Sequence, residues 1–278
     1  MTMQPEPRGE VRSVIAADGA RLEYEVAGNG PPLVMLHGFL AGRWVFSRQR
    51  AALAERFCLI LPSFRGHDGS DSTVPPGYGP GTSDVDDLNA ILDAEHIDRL
   101  CLLGHSSGGA TAFVFACRYP DRVLRTVLIE PTLYSLLDTV ARNEVSAQMG
   151  PLVATAVRDG PAAALRDTMA TIGGDAWNNL DPEKKETRLT AFASCAPMVG
   201  PHIQGLLDLQ VSEADVTGFR PETLLVYGAA SFPFEASIGE RFVALRPESR
   251  IVTVEGAGHN VHRDRADILN PMVLSFLV

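Results

Sequence analysis

Six short runs rich in apolar and β-branched residues, at 33–36, 58–61, 100–103, 126–129, 223–227 and 250–254, punctuate this chain at intervals filled largely by helical patterns. A run of four or five such residues is too short for a buried helix and reads as a strand covered on both faces. Parallel neighbours need crossover connections, so strands that alternate with helices predict a parallel sheet with helices on both faces. Two further strands, over 11–17 and 21–26, flank Asp18-Gly19 and read as a hairpin. The expectation is an α/β fold with a mostly parallel, eight-stranded sheet.

A helix is expected over 83–95, with Val85, Leu88, Ile91 and Leu92 on one face, Ser83 as N-cap and acids in the first turn. A second, over 110–119, is rich in small and apolar residues and stops at Pro120. Residues 134–220 break the alternation, with helical stretches and no convincing strand, and read as an inserted helical cap. The core is then 1–133 together with 221–278.

The chain has 278 residues, 45% of them hydrophobic, enough for one large core. Its formal net charge of -10 repels phosphate backbones and anionic headgroups, so neither nucleic acid nor a membrane is an expected partner. The first ten residues, MTMQPEPRGE, carry no apolar signal core, and no segment reaches the ~18 apolar residues of a membrane span. A cytoplasmic monomer or homodimer acting on a small molecule is expected. The four cysteines, Cys58, Cys101, Cys117 and Cys195, form no CxxC and read as reduced, mostly buried thiols.

Residues 104–109 read GHSSGG directly after the run at 100–103. This places Ser106 on a sharp turn from strand to helix, where Gly104, Gly108 and Gly109 leave room for close backbone approach. Such a serine is a candidate nucleophile, although a GxSxG alone is also an ordinary glycine-rich turn.

The order of HGF at 37–39, RGHDGSD at 65–71, GHSSGG at 104–109 and GAGH at 256–259 resembles the α/β-hydrolase fold over nearly the whole chain. A serine hydroxyl needs a base and a third group that orients the base. Of the seven histidines, His259 after the last strand is the expected base. His262 is its rival and reads as facing solvent or the cap. His37 and His105 belong to turn motifs, and His67 and His96 read as loop or helix-end residues. His202 reads as a cap residue, on the surface or touching substrate. The resemblance implies an oxyanion hole from the backbone N–H groups of Phe39 and Ser107.

The third member departs from the common pattern. Most relatives carry an aspartate after the seventh strand, where this chain reads Gly228-Ala229-Ala230-Ser231. Serine cannot hold the compensating charge. Certain haloalkane dehalogenases and zearalenone-type lactonases place their acid after the sixth strand, and Glu130 in LIEPT fits that variant. Glu235 and Asp215 are weaker candidates.

A serine nucleophile implies acyl transfer, hence an ester or lactone hydrolase that needs no metal or organic cofactor. A carbon–carbon bond hydrolase acting on a vinylogous diketone, and a non-catalytic binder on the same scaffold, are the alternatives. Phe39, Leu40 and Trp44 are expected at the site's walls, with Tyr134 and Leu137 after Glu130. From the cap come Met149, Trp177, Phe192 and Met198, several of which also suit a packed core, and Phe232 and Phe234 follow the seventh strand. Arg43 and Arg65 read as salt-bridge residues before substrate ligands.

Overall fold

The computed structural model describes residues 9–278 apart from the side chains of 174–176, and the polar start at 1–8 lies outside it. The strands are β1 (Glu10–Ile15), β2 (Arg21–Ala27), β3 (Pro32–Leu36), β4 (Cys58–Pro62), β5 (Leu100–His105), β6 (Val123–Ile129), β7 (Glu222–Gly228) and β8 (Arg250–Val254). They form one eight-stranded sheet in the order β1-β2-β4-β3-β5-β6-β7-β8. The β1–β2 hairpin and the β2–β4 pair are antiparallel, and every other pair is parallel.

The helices of the sheet layers are α1 (Ser47–Ala54), α2 (Ser83–Ala94) and α3 (Ser107–Arg118). Between β6 and β7 run α4 (Thr139–Arg158), α5 (Pro161–Asn178), α6 (Pro182–Ala191), α7 (Val199–Asp208) and α8 (Glu213–Thr217). The chain closes with α9 (Pro233–Leu245), α10 (Val261–Asp264) and α11 (Ala266–Leu277).

Alternate residues of each apolar run serve opposite faces, as a strand's two-residue period demands. In β3, Leu33 and Met35 belong to one cluster with Phe46 and Leu53, at the start of α1 and within it, and with Leu269, Val273 and Phe276 of α11. Val34 and Leu36 pack with Val85 and Leu88 of α2, Phe113 of α3, and Ile238 and Phe242 of α9. Four of the helices between β6 and β7, α4 to α7, keep a core of their own, including Leu152, Leu165, Trp177, Val199 and Ile203, whereas Val216 of α8 joins the core of the sheet. Phe39 and Leu40, in the loop after β3, join that core from the sheet side.

Two local expectations shift. Ser83 is the first residue of α2 and its N-cap is Thr82, which gives no side-chain cap because its hydroxyl donates to Gly77 O at 2.5 Å. Strand β5 runs on to His105, so Ser106 follows it with no intervening loop. The cysteines are free, with Cys101 and Cys195 buried, and among the described residues no helix is long and apolar enough to cross a membrane.

Candidate active site

Ser106 sits at φ 55 and ψ -122, between the end of β5 and the start of α3. This left-handed conformation is held by its surroundings. The Ser106 N–H donates to Ile129 O at 2.9 Å, and its carbonyl accepts from Gly109 at 2.8 Å. The glycines permit the crowding that results: a Cβ on Gly108 would lie 2.4 Å from Leu36 O, and one on Gly104 would lie 2.4 Å from Gly108 O. No side chain fits either place.

Backbone strain gathers on this edge of the sheet. Among the described residues, five that are not glycine have positive φ, and four of them, Leu40, Asp68, Ser106 and Glu130, follow the carboxyl ends of β3, β4, β5 and β6. Each costs on the order of 1–3 kcal/mol, and such residues cluster where a scaffold holds functional groups in unfavourable backbone shapes. The same carboxyl edge is where open α/β sheets bind ligands.

Glu130 is fully buried. Its N–H donates to Val226 O at 3.0 Å, which turns its side chain across the end of β7. There the Gly228 N–H donates to Oε1 at 2.8 Å, the Ser231 hydroxyl to Oε2 at 2.5 Å, and His259 Nδ1 to the same Oε2 at 2.5 Å. All three contacts use Glu130 as acceptor, the role of an ionised carboxylate, and they fix His259 as the tautomer with a free Nε2 when it is neutral. His259 is tied to the elbow from behind. His105, the residue before Ser106, donates Nε2–H to His259 O at 3.0 Å, with the two rings 4.8 Å apart. Burial foremost, then the neighbouring His262, holds the His105 pKa well below its ordinary value, so that ring stays neutral.

Glu235 stands beside this pair. It is 1% exposed, with Oε1 4.0 Å from His259 Nδ1. Burial, followed by the charge of Glu130, pushes its pKa well above the carboxylate range and favours its protonated form. The ligand atoms of Glu130, Glu235 and His259 lie within 4.8 Å of one another, a spacing that could hold a metal ion. The 2.5 Å contact between Glu130 and His259 is shorter than the ~3.3 Å between two ligands on one tetrahedral zinc, and is a hydrogen bond.

Ser107 opens α3, so its N–H is among the helix donors with no intrahelical acceptor. The HGF loop touches the elbow: a Cβ on Gly38 would lie 3.1 Å from Ser106 Cβ, and Phe39 is the next residue. His37 braces that loop, bonded through Nδ1 to Gly38 O at 2.8 Å and accepting at Nε2 from the Phe64 N–H at 3.1 Å. Aromatic rings flank His259 on its open side. Phe232 lies 5.9 Å from the imidazole and stacks on Phe234, which meets Tyr134 edge-on at 6.0 Å.

The other residues singled out in the sequence lie as follows. His262 is fully buried against His105 and Phe46, which removes it from solvent and from the cap. His202 is buried, not on the surface, and stacks on Phe39 at 4.3 Å. His67 is also buried, packed against His37 at 4.9 Å. Trp44 lies half-exposed under the Arg263 guanidinium, a cation–π contact at 5.2 Å that holds it at the surface. Trp177 and Met198 are buried, and Met149 and Phe192 pack against the core of α4–α7. Leu137 is buried and lines a groove of about 630 Å³ with Arg142, Glu213 and Arg241.

Arg65 is held by Asp87 and Asp18, and Arg43 by Glu23, the salt-bridge roles expected of them. Asp215 forms a capping box with Ser212 at the start of α8 and takes no part in the site. Sequence reasoning missed Ser231, Gly228 and His105 as partners of the acid and the histidine. Ser231 carried a signal, since it is polar and occupies the position where relatives hold their acid.

The comparisons with known proteins agree with this architecture. The family model of the alpha/beta hydrolase fold matches residues 31–266. A Bacillus subtilis (strain 168) protein provisionally named 2-succinyl-6-hydroxy-2,4-cyclohexadiene-1-carboxylate synthase is 28% identical over 95% of this chain and 97% of its own. The 2-(acetamidomethylene)succinate hydrolase of Mesorhizobium japonicum is 27% identical over 90% of this chain and 89% of its own. Among solved structures, the enol-lactonase of Burkholderia xenovorans LB400 superposes with a TM-score of 0.77 at 20% identity, covering 96% of this chain and 99% of that one. By sequence and by fold, the chain belongs to the α/β-hydrolase fold family.

Proposed function

We propose that this protein is a serine hydrolase that cleaves a carboxylic ester or lactone of a small, hydrophobic substrate. Ser106 is the nucleophile, His259 the base and Glu130 the acid that orients it. The observation that carries the reading is the 2.5 Å contact from His259 Nδ1 to a buried carboxylate with two further donors of its own.

Attack of the Ser106 oxygen on the carbonyl carbon sends its proton to His259 Nε2, and Glu130 balances the imidazolium that forms. The carbonyl oxygen gathers negative charge, which the N–H groups of Phe39 and Ser107 receive at the positive end of α3. Collapse expels the alkoxide, which takes the proton from His259, and leaves an acyl-enzyme. A water then gives its proton to His259 and attacks the acyl carbon, and collapse breaks the bond to the Ser106 oxygen, which recovers the proton from His259 as the acid is released. The aromatic flank of Phe232, Phe234 and Tyr134 beside His259 supports an apolar substrate.

The test is a screen of esters and lactones of graded size, with Ser106→Ala as the blank and a fluorophosphonate as active-site label. Stoichiometric labelling of the wild type, lost in Ser106→Ala, is expected together with ester or lactone turnover. Turnover of a dienone chromogen without ester hydrolysis would replace this reaction by carbon–carbon bond cleavage. Failure to label would leave a non-catalytic binder.

A further inference from the structure

His259 has two buried carboxyl groups within reach, and the mechanism uses one. Glu235, in the first turn of α9, brings Oε1 to 4.0 Å from His259 Nδ1, and its Oε2 is buried with no hydrogen-bond partner among the described residues. The titratable groups facing it are Glu130 at the end of β6, His259 after β8, Tyr227 of β7 and Tyr134 in the turn after β6. The Tyr227 hydroxyl is likewise buried without a partner. A buried polar atom left unpaired costs stability on the order of 1–3 kcal/mol, so two of them beside a catalytic pair call for a function.

We propose that Glu235 is a reserve carboxyl for His259, able to orient and balance the imidazole when Glu130 does not. This rests on the serine-hydrolase reading above. Burial, and after it the charge of Glu130, favour the protonated form of Glu235, because a second buried anion beside the first is disfavoured. Removing the Glu130 carboxylate removes that repulsion, and the imidazolium that forms at His259 supplies a counter-charge against the burial that remains. Glu235 then releases its proton to solvent, and a movement of about 1 Å brings Oε1 within hydrogen-bond distance of Nδ1–H. The proton taken from Ser106 still passes to Nε2, so the reaction balances as before, and Glu235 acts only through His259 as a positioning residue.

The experiment is a double-mutant cycle on kcat/KM for an ester substrate, with Glu235→Gln made in the wild-type, Glu130→Gln and Glu130→Ala backgrounds. The Gln background keeps an acceptor for Gly228, and the Ala background leaves room for Glu235 to approach; thermal melts show which variants fold. Loss of Glu130 alone is expected to cost about 10²- to 10³-fold, less than the ~10⁴-fold for removing a sole triad acid. Adding Glu235→Gln should cost a further tenfold or more, about tenfold beyond its effect in the wild type. The Glu130 variants should also acquire a new ionisation in their pH–rate profile, absent from the double variants. An equal cost of Glu235→Gln in all backgrounds overturns the proposal, since a purely structural residue behaves that way. Wild-type turnover in Glu130→Gln overturns the triad assignment itself, and the two failures are distinguishable.

Discussion

Ser231, at the position where most relatives of this fold carry their acid, donates its hydroxyl to Glu130 Oε2 at 2.5 Å, although the two residues are 101 positions apart in the chain. In the proposed triad the acid stands one strand inward of Ser231, at the end of β6, and Ser231 supports it there. Strands β6 and β7 are neighbours in register, with Ile129 opposite Val226, so a side chain at the end of either can reach the loop that carries His259. That adjacency makes this placement of the acid geometrically possible.

The first consequence concerns Glu130 itself. Glu130→Gln keeps the side chain's volume and one acceptor but loses the charge that balances the imidazolium. Turnover of an ester substrate should fall by at least about 10²-fold with the melting temperature little changed. Steady-state kinetics and a thermal melt on the same sample check both halves.

Ser231 should act through Glu130. Ser231→Ala removes one of three donors to the carboxylate, a loss of about 1 kcal/mol and roughly fivefold in kcat, with KM nearly unchanged. Ser231→Asp combined with Glu130→Gln returns the acid to the position common among relatives and should recover part of the activity that Glu130→Gln loses. A double variant no better than Glu130→Gln would show that the loop after β7 cannot present a carboxylate to His259.

Close backbone approach under the elbow predicts a sharp contrast between two glycines. Gly108→Ala would force a Cβ to 2.4 Å from Leu36 O and 2.5 Å from His37 O, which only backbone movement can relieve. A loss on the order of 3 kcal/mol, about 10 °C in melting temperature, is expected. Gly150→Ala in α4 meets nothing within 4 Å and should raise stability slightly, by about 0.5–1 kcal/mol.

Asp84, in the first turn of α2, predicts a pH-dependent stability. Burial, followed by the nearby Asp87 carboxylate, pushes its pKa up to about 7. The folded state therefore binds this proton more tightly than the unfolded chain, whose aspartates titrate near ~3.9. The stability it contributes is complete below ~3.9 and is lost as pH rises to about 7. Asp84→Asn lacks that loss, so its melting temperature relative to wild type should climb between pH 4 and 7 and level off above. A difference that is constant across this range would place the Asp84 pKa in the ordinary carboxylate range.

Much of this protein could be read from short stretches of chain. Leu33 to Leu36 announces a two-faced strand because burial on both sides needs an unbroken apolar run. Gly104, Gly108 and Gly109 mark the elbow because absent side chains are the local condition for a strained serine. His259 follows from the order of motifs that shares the chain with them. These signals are encoded within a few residues, where backbone sterics and side-chain pattern suffice.

The exposure of His202, His262 and Trp44 was not legible, because burial depends on what packs from elsewhere. His202 is covered by Phe39, which is 163 positions away, and His262 by His105 and Phe46. The acid is the clearest case. From the sequence, Ser231 was a vacancy and Glu130 the favoured acid, with Glu235 and Asp215 as weaker candidates. The order of strands in the sheet set Glu130, Ser231 and His259 side by side, left Asp215 capping a distant helix, and brought Glu235 close enough to matter. Local sequence determined which elements form and where Ser106 stands; only the tertiary structure decided which carboxylate lies against His259, because hydrogen bonds between residues a hundred positions apart exist only once the strands have paired.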